Sequence, residues 1–320
     1  MKIVILERNS VGMDVDVSMF SDFGELISYE NTKKEEIRER VKEADIIIAN
    51  KSLLNEETIG EAKNVKLICQ FATGYDNVDL NYCKKKGIKV ANTVDYCTET
   101  VAQHTFALAF YILEKLNYYD QFVKSGEYAK SGRFTNFDKM FTEICGKTWG
   151  IAGMGNIGKK VAKIAQAFGC RVIFYSTSGK SICRDYRQVD FDTLLAESDI
   201  LSLHCPLTET TRNLIRLDAM KKMKKSALLI NVARGAVVNN ADLYTALMEG
   251  EIAGAGLDVV EKEPITEDNP LAKIKDSGKL IITPHIGWAS VEARTRCVEE
   301  AYKNVEAFLR GEDRNIVNIL

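Results

Sequence analysis

A chain of 320 residues, 46% hydrophobic and 28% charged, is long enough for two domains with their own cores and ordinary for a globular protein. A formal charge of −2 gives no electrostatic reason to bind nucleic acid or an anionic membrane. The longest apolar stretch, near Phe106–Leu113, is far below the roughly 20 residues of a membrane span, and MKIVILERNS reads as a first strand, not a secretory signal. The chain therefore reads as cytoplasmic. Its eight cysteines are scattered without a C-x-x-C pair, which argues for reduced structural thiols and against disulfides or a zinc site.

Strand signals at Ile3–Leu6, Ile46–Ala49, Lys66–Cys69 and Ile88–Val90 alternate with charged helical segments such as Lys33–Glu43. That alternation predicts a parallel sheet with helices on both faces. Next comes Thr98–Leu116, apolar nearly all round and therefore predicted to be a buried helix. A second α/β block begins near Thr148 and continues at Arg171–Tyr175, Ile200–Leu203, Ala227–Val232, Gly254–Val259 and Leu280–Thr283. The last helix, Ser290–Leu309, is amphipathic and opens on a serine able to cap it. After it, the apolar tail Arg314–Leu320 is expected to return to a sheet or pack on one. The economical arrangement inserts the second block, 99–286, into a first domain made of 1–98 and 287–320. A ligand cleft between the two is the expected consequence.

Gly153-Met154-Gly155-Asn156-Ile157-Gly158 follows the strand run Thr148–Ala152 and opens the helical segment Ile157–Ala167. In that context GxGxxG points to a dinucleotide. Gly153 permits the tight turn, Gly155 lets backbone approach a pyrophosphate, and Gly158 lets helix and strand pack closely. The helix N-terminus then offers N–H groups to phosphate. The next strand normally ends in an acid that bonds the adenosine ribose of NAD, but RVIFYSTSGK places Ser176 there. With Thr177, Ser178 and Lys180 following and no carboxylate beside them, NADP(H) is expected to be tolerated, and NAD(H) can still be served by a hydroxyl.

Three windows, LLINVARGAVV, AGLDVVEKEP and LIITPHIGWAS, each pair a strand run with a reactive side chain beyond it: Arg234, Glu263 and His285. Open α/β sheets bind their ligands at those strand ends. An imidazole can give a proton to the alkoxide formed when hydride reaches a 2-oxo acid. A nearby carboxylate favours the imidazolium, and an arginine fork binds an anionic carbonyl compound. His204 reads better as ordering a loop on the cofactor side, and His104 as a satisfied core or interface residue.

Taken together, ATGYDNVDL (72–80), TVAQHTFAL (100–108), GIAGMGNIGKKVA (150–162), HCPLTETTRNLI (204–215), INVARGAVV (230–238), GLDVVEKEP (256–264) and TPHIGWAS (283–290) resemble the D-isomer-specific 2-hydroxyacid dehydrogenases over essentially the whole chain. The resemblance implies an α/β fold of two Rossmann/flavodoxin-like parallel-sheet domains, the cofactor domain being inserted into a discontinuous substrate domain, and usually a homodimer. It implies that Arg234 binds substrate, Glu263 tunes the histidine and His285 shuttles the proton. The loop Thr73-Gly74-Tyr75 would hold the substrate carboxylate through backbone N–H groups, with Lys51 able to reach the substrate. Asp258, with Val232 and Ala233, would meet the nicotinamide of NAD(H) or NADP(H), and Cys205-Pro206 would lie along the cofactor.

Trp288, together with ATGYDNVD, is similar to bacterial hydroxypyruvate (glycerate) and glyoxylate reductases. An indole there would favour a small 2-oxo acid, unless it serves packing at the domain joint. Formate dehydrogenase lacks a glutamate at the position of Glu263. Full-length phosphoglycerate dehydrogenase carries a further C-terminal domain, which is not expected here. Two other readings stand beside the reductase: a dehydrogenase of bulkier branched or aromatic 2-oxo acids, and a dinucleotide-sensing, corepressor-like interaction protein.

Overall fold

The computed structural model describes residues 1–181 and 183–318, and the chain divides into two compact units. One comprises Met1–Cys97 together with the chain from Trp288 onward, the other Thr98–Gly287. These boundaries differ by one residue on each side from those expected on sequence. No helix among the described residues is long and apolar enough to cross a membrane.

The first unit holds five parallel strands: β1 (Lys2–Ile5), β2 (Glu25–Ser28), β3 (Ile46–Ala49), β4 (Leu67–Gln70) and β5 (Lys89–Ala91), in the order β2-β1-β3-β4-β5. β3 and β4 are buried throughout, which is why their sequences are continuous apolar runs instead of alternating ones. The edge strand β2, half-exposed and carrying Glu25 and Ser28, has no such run and escaped the sequence reading. Helices α1 (Lys34–Val41), α2 (Glu56–Ile59) and α3 (Leu80–Lys86) connect the strands. Ile37, Val41, Ile47, Ile68 and Tyr82 form the core beneath them. Beyond β1, the buried Glu7 carboxylate accepts the backbone N–H groups of Asn50 at 2.9 Å, Lys51 at 3.2 Å and Ser52, and so shapes the loop after β3.

The second unit begins with α4 (Thr98–Leu113), which stops short of the expected Leu116 because Lys115 turns into the left-handed region at φ 55°. Two short helices, α5 (Leu116–Lys124) and α6 (Glu127–Ser131), and an irregular segment follow. A seven-stranded parallel sheet is then built from β6 (Thr148–Ala152), β7 (Arg171–Tyr175), β8 (Arg187–Gln188), β9 (Ile200–Leu203), β10 (Leu228–Asn231), β11 (Gly254–Leu257) and β12 (Leu280–Ile282). Its order, β12-β11-β10-β9-β6-β7-β8, reverses direction between β6 and β9, the kind of switch point where α/β sheets open a ligand crevice. The helices between these strands are α7 (Asn156–Ala167), α8 (Phe191–Glu197), α9 (Leu217–Lys221) and α10 (Asn240–Glu249).

α4 lies close against β11 because that strand carries glycines. A Cβ on Gly254 would come within 2.9 Å of Ile112, and one on Gly256 within 2.9 Å of Leu108. Trp149 of β6 is fully buried against Phe106, with ring centroids 4.5 Å apart, and its indole N–H donates to Ser202 Oγ at 2.8 Å.

α11 (Val291–Leu309), capped by Ser290, belongs to the first unit and covers the face of β4 from which Cys69 projects. The tail returns to that unit's sheet, Ile316 bridging Ala91 in antiparallel sense and the Asn318 side chain closing on Val90 and Ile88. The last two residues of the expected tail segment lie outside the described residues.

Candidate active site

Arg234, Glu263 and His285 follow β10, β11 and β12, three neighbouring strands, so parallel pairing delivers all of them to one edge of the sheet. His285 and Glu263 are in direct contact: the ring Nδ1 lies 2.8 Å from Oε2. A carboxylate only accepts, so Nδ1 carries the hydrogen and Nε2 is left to exchange a proton with a ligand. The carboxylate's other oxygen receives the Val260 N–H at 3.2 Å, which holds the loop carrying Glu263.

Arg234 is fixed from behind by Asn231, fully buried at the end of β10. Asn231 Nδ2 donates to the Arg234 carbonyl at 3.0 Å, and its Oδ1 accepts the Ala233 N–H at 3.0 Å. One guanidinium N–H donates to the Ala233 carbonyl at 2.9 Å. Gly235 then passes so near the neighbouring loop that a Cβ on it would stand 1.9 Å from the Val260 carbonyl and 2.5 Å from the Glu261 nitrogen. The loops carrying Arg234 and Glu263 thus touch through main-chain atoms.

His285 itself is left-handed, with φ 56°, an uncommon conformation for a residue with a Cβ. Its N–H is shared between the carbonyls of Asp258 and Thr283, both at 2.9 Å. The Asp258 side chain, only 3% exposed, accepts hydrogen bonds from Thr283 Oγ1 at 2.6 Å, Ile286 N at 2.8 Å and Gly287 N at 2.7 Å. Burial pushes this carboxyl's pKa up, but the bonds from His104, Thr283 and the two amides outweigh it, and the group sits below its ordinary 3.8. Sequence reasoning named Asp258 for a nicotinamide contact and not for these bonds, and it did not name Asn231, Thr283 or Gly235. Their signals are present, a polar residue ending an apolar strand run and a glycine beside a reactive side chain, but neither is specific.

The glycine loop has the geometry that a dinucleotide needs. Gly153 has φ 98°, and a Cβ there would meet the Cys205 backbone at 2.7 Å. Gly158 presses onto the Gly153 carbonyl, while the space over Gly155 is open. α7 begins with Gly155 at its N-cap and no side-chain cap, so its first-turn N–H groups face that open side without a competing side-chain acceptor. Asn156 is exposed beside it, Ile157 is half-buried, and Cys205 is buried ahead of the exposed Pro206. Ser176, at the end of β7, is 5% exposed and accepts the Ser181 N–H at 3.1 Å. Thr177 is half-buried, and Ser178 and Lys180 are exposed. Val232 and Ala233 lie between Asn231 and Arg234, half-buried and buried respectively.

The remaining candidates belong to the first unit. Thr73 is held from two sides, its Oγ1 donating to the Thr93 carbonyl at 2.9 Å and its own carbonyl receiving Asn92 Nδ2 at 2.7 Å. The Tyr75 carbonyl accepts the Val78 N–H at 3.0 Å, so Gly74 lies in a loop closed at both ends. Lys51 is exposed on the loop shaped by Glu7, and Trp288 meets Tyr96 edge-on at 6.2 Å.

His204 lies beyond β9, its Nε2 3.0 Å from Ser202 Oγ, while its buried Nδ1 has no hydrogen-bond partner among the described residues. Burial pushes its pKa down from 6.5 to about 3, so the ring is neutral near physiological pH. No group of three or more His, Cys, Asp or Glu side chains among the described residues is arranged to hold a metal ion.

A family model described as "D-isomer specific 2-hydroxyacid dehydrogenase, NAD binding domain" matches residues 106–287. The chain is 38% identical to a hydroxypyruvate reductase of Blautia hydrogenotrophica over 99% of this chain and 100% of that protein. It is 40% identical to a glycerate dehydrogenase of Methylorubrum extorquens, covering 99% and 98%. Among solved structures, a D-lactate dehydrogenase of Aquifex aeolicus complexed with NAD and lactic acid superposes with a TM-score of 0.87 at 30% identity over the whole of both chains. An acyclic imino acid reductase in complex with NADPH and D-Arg gives 0.87 and 30%, covering 99% and 100%.

The depressed pKa of His204 sets a stability prediction. The unfolded ring protonates near 6.5 and the folded one near 3, so the unfolded chain binds the extra proton first as pH falls. Stability should be complete above the upper value and decline between the two, by up to about 1.4 kcal/mol per pH unit. Denaturant titrations across that range should show the slope in the wild type and a flatter one in His204→Gln, whereas identical slopes would refute the assignment.

The matched domain, the full-length relatives and the strand-end geometry place this chain in the D-isomer-specific 2-hydroxyacid dehydrogenase family, NAD(P)-dependent oxidoreductases acting on a CH–OH group.

Proposed function

We propose that this enzyme reduces hydroxypyruvate or glyoxylate to the D-2-hydroxy acid, reversibly, with His285 as proton donor and acceptor. The observation that carries the reading is the 2.8 Å contact between His285 Nδ1 and Glu263, at the strand end next to that of Arg234. The names of the two relatives, hydroxypyruvate reductase and glycerate dehydrogenase, support the small substrate.

A bound nicotinamide supplies the hydride. His285 Nε2 gives its proton to the carbonyl oxygen as negative charge develops there, and Glu263 steadies the imidazolium and its ring plane. Arg234, permanently charged and forked, holds the substrate carboxylate and carbonyl oxygen. In the first unit, the backbone N–H groups of Thr73, Gly74 and Tyr75, together with Lys51 and Trp288, are the residues we assign to substrate. Gly153, Gly155, Asn156, Ile157 and Gly158 would hold the pyrophosphate of a bound dinucleotide, and Cys205 and Pro206 would lie along the cofactor. Val232, Ala233 and Asp258 adjoin the nicotinamide.

With purified protein, His285→Gln should lower kcat by about a hundredfold or more with the fold intact by circular dichroism. Arg234→Gln should raise KM for the oxo acid as well as lower kcat. Near-normal turnover by His285→Gln would overturn the assignment. In a substrate panel hydroxypyruvate and glyoxylate should rank above phenylpyruvate and branched oxo acids. The reverse ranking would mark a bulky-substrate dehydrogenase.

At the adenosine end, Ser176 puts no carboxylate where an acid would repel a 2′-phosphate, Thr177 is half-buried beside it, and Lys180 is exposed nearby. NADPH should therefore be used within about tenfold of NADH or better, and Ser176→Asp should cut efficiency with NADPH by about tenfold or more through like-charge repulsion. A hundredfold advantage for NADH in the wild type would sink this part.

We also propose a cytoplasmic homodimer. Phe134 at 95% exposure, Met140 at 85% and Phe137 at 78% lie within seven residues of each other after α6. Exposed apolar groups so concentrated mark an association surface, and a second copy is the partner that a homo-oligomer supplies. Sedimentation should give a dimer at micromolar concentration, weakened in Phe134→Ser/Phe137→Ser; a wild-type monomer would refute it.

A further inference from the structure

His104 stands half-buried on α4 beside buried Val101, Ala102, Thr105 and Leu108, where partial loss of water favours a partner for its ring nitrogen. The Nε2 atom finds two, Thr283 Oγ1 at 2.9 Å and Asp258 Oδ1 at 3.3 Å. Proton directions follow. The single hydroxyl hydrogen of Thr283 goes to Asp258, whose carboxylate can only accept, so Thr283 Oγ1 must receive a hydrogen from Nε2–H of His104. A relay therefore runs from His104 through Thr283 to Asp258, and Asp258 also binds the amides of Ile286 and Gly287. His285 sits between these anchors, and its own N–H is bound to the Asp258 carbonyl. The backbone is pressed onto the relay: a Cβ on Gly287 would stand 2.8 Å from Asp258 Oδ2 and 3.1 Å from His104 Cδ2.

We propose that His104 is a positioning residue for the reaction: by donating Nε2–H into the Thr283–Asp258 pair it fixes the carboxylate that clamps the chain on both sides of His285. The clamp holds the left-handed backbone from which the imidazole reaches Glu263. The inference rests on the proposed role of His285, but part of its test needs no turnover.

With only three histidines, the imidazole N–H resonances are separable by NMR. In the wild type, the His285 Nδ1 proton should be protected by Glu263 and visible. In His104→Leu it should broaden through solvent exchange, and kcat should fall about ten- to a hundredfold with KM for the oxo acid changed little. His104→Gln, which restores an amide donor near the Nε2 position, should recover both to within about threefold. Thr283→Val removes the hydroxyl without touching α4 and leaves only the 3.3 Å approach of His104 Nε2 to Asp258 Oδ1, so it should shift both readouts in the same direction as His104→Leu, and it decides the matter if His104→Leu fails to fold. A wild-type resonance in Thr283→Val or His104→Leu, or a His104→Gln as impaired as His104→Leu, would overturn the proposal. Because the resonance is read without substrate, failure of the reductase reading appears separately, as a wild type with a protected proton and no turnover.

Discussion

A carboxylate removed from water must be repaid in hydrogen bonds, and Asp258 is where this site meets that demand. It lies just after β11, buried at 3% exposure, and draws donors from α4, from the end of β12 and from the turn beyond His285. Each bond that keeps the carboxylate ionised also ties down a segment carrying or flanking a reacting group. The electrostatic need of one side chain and the geometry of the site are therefore met by the same contacts. Arg234 is served in a parallel way by Asn231, a neutral amide that ends β10, one register position short of where Asp258 stands beyond β11.

Three histidines occupy three physical settings. His204 is half-buried with its Nδ1 out of water and, with its pKa near 3, is a neutral polar spacer. His104 is a donor set against Thr283 at 2.9 Å and against the Asp258 carboxylate at 3.3 Å. His285 touches a carboxylate directly and keeps its other nitrogen for a ligand. Residue type alone ranks none of them; what separates them is which partner sits on which nitrogen.

Much of this was legible before any coordinates. β3, β4, β9 and β10 are buried on both faces, so their apolar runs announce them, and the glycine loop and the three reactive windows stand at strand ends where chain alternation puts them. Of the four edge strands, β5 and β12 were legible from their apolar runs and two were not. β2 is exposed and mixed, and β8 spans two residues, so neither makes a periodic signal. The helices after α4 were missed for a related reason, since α5 and α6 bury no residue and their half-buried aromatics pack mostly on one another. The His104–Thr283–Asp258 relay joins residues up to 179 positions apart, and no spacing rule reaches that far. The sequence could name His104 as a residue needing a partner, but not say which.

Gly235 has a consequence for how this site tolerates change. The spacing between the loops of Arg234 and Glu263 is set by main-chain atoms in contact at Gly235, Val260 and Glu261, with no side chain between them. Repacking the core beneath β10 and β11 can alter stability while leaving that spacing where it is, because the gauge is made of atoms that every residue shares. The separation of these two loops is thereby insulated from side-chain changes beneath them, and position 235 is where a substitution would open it.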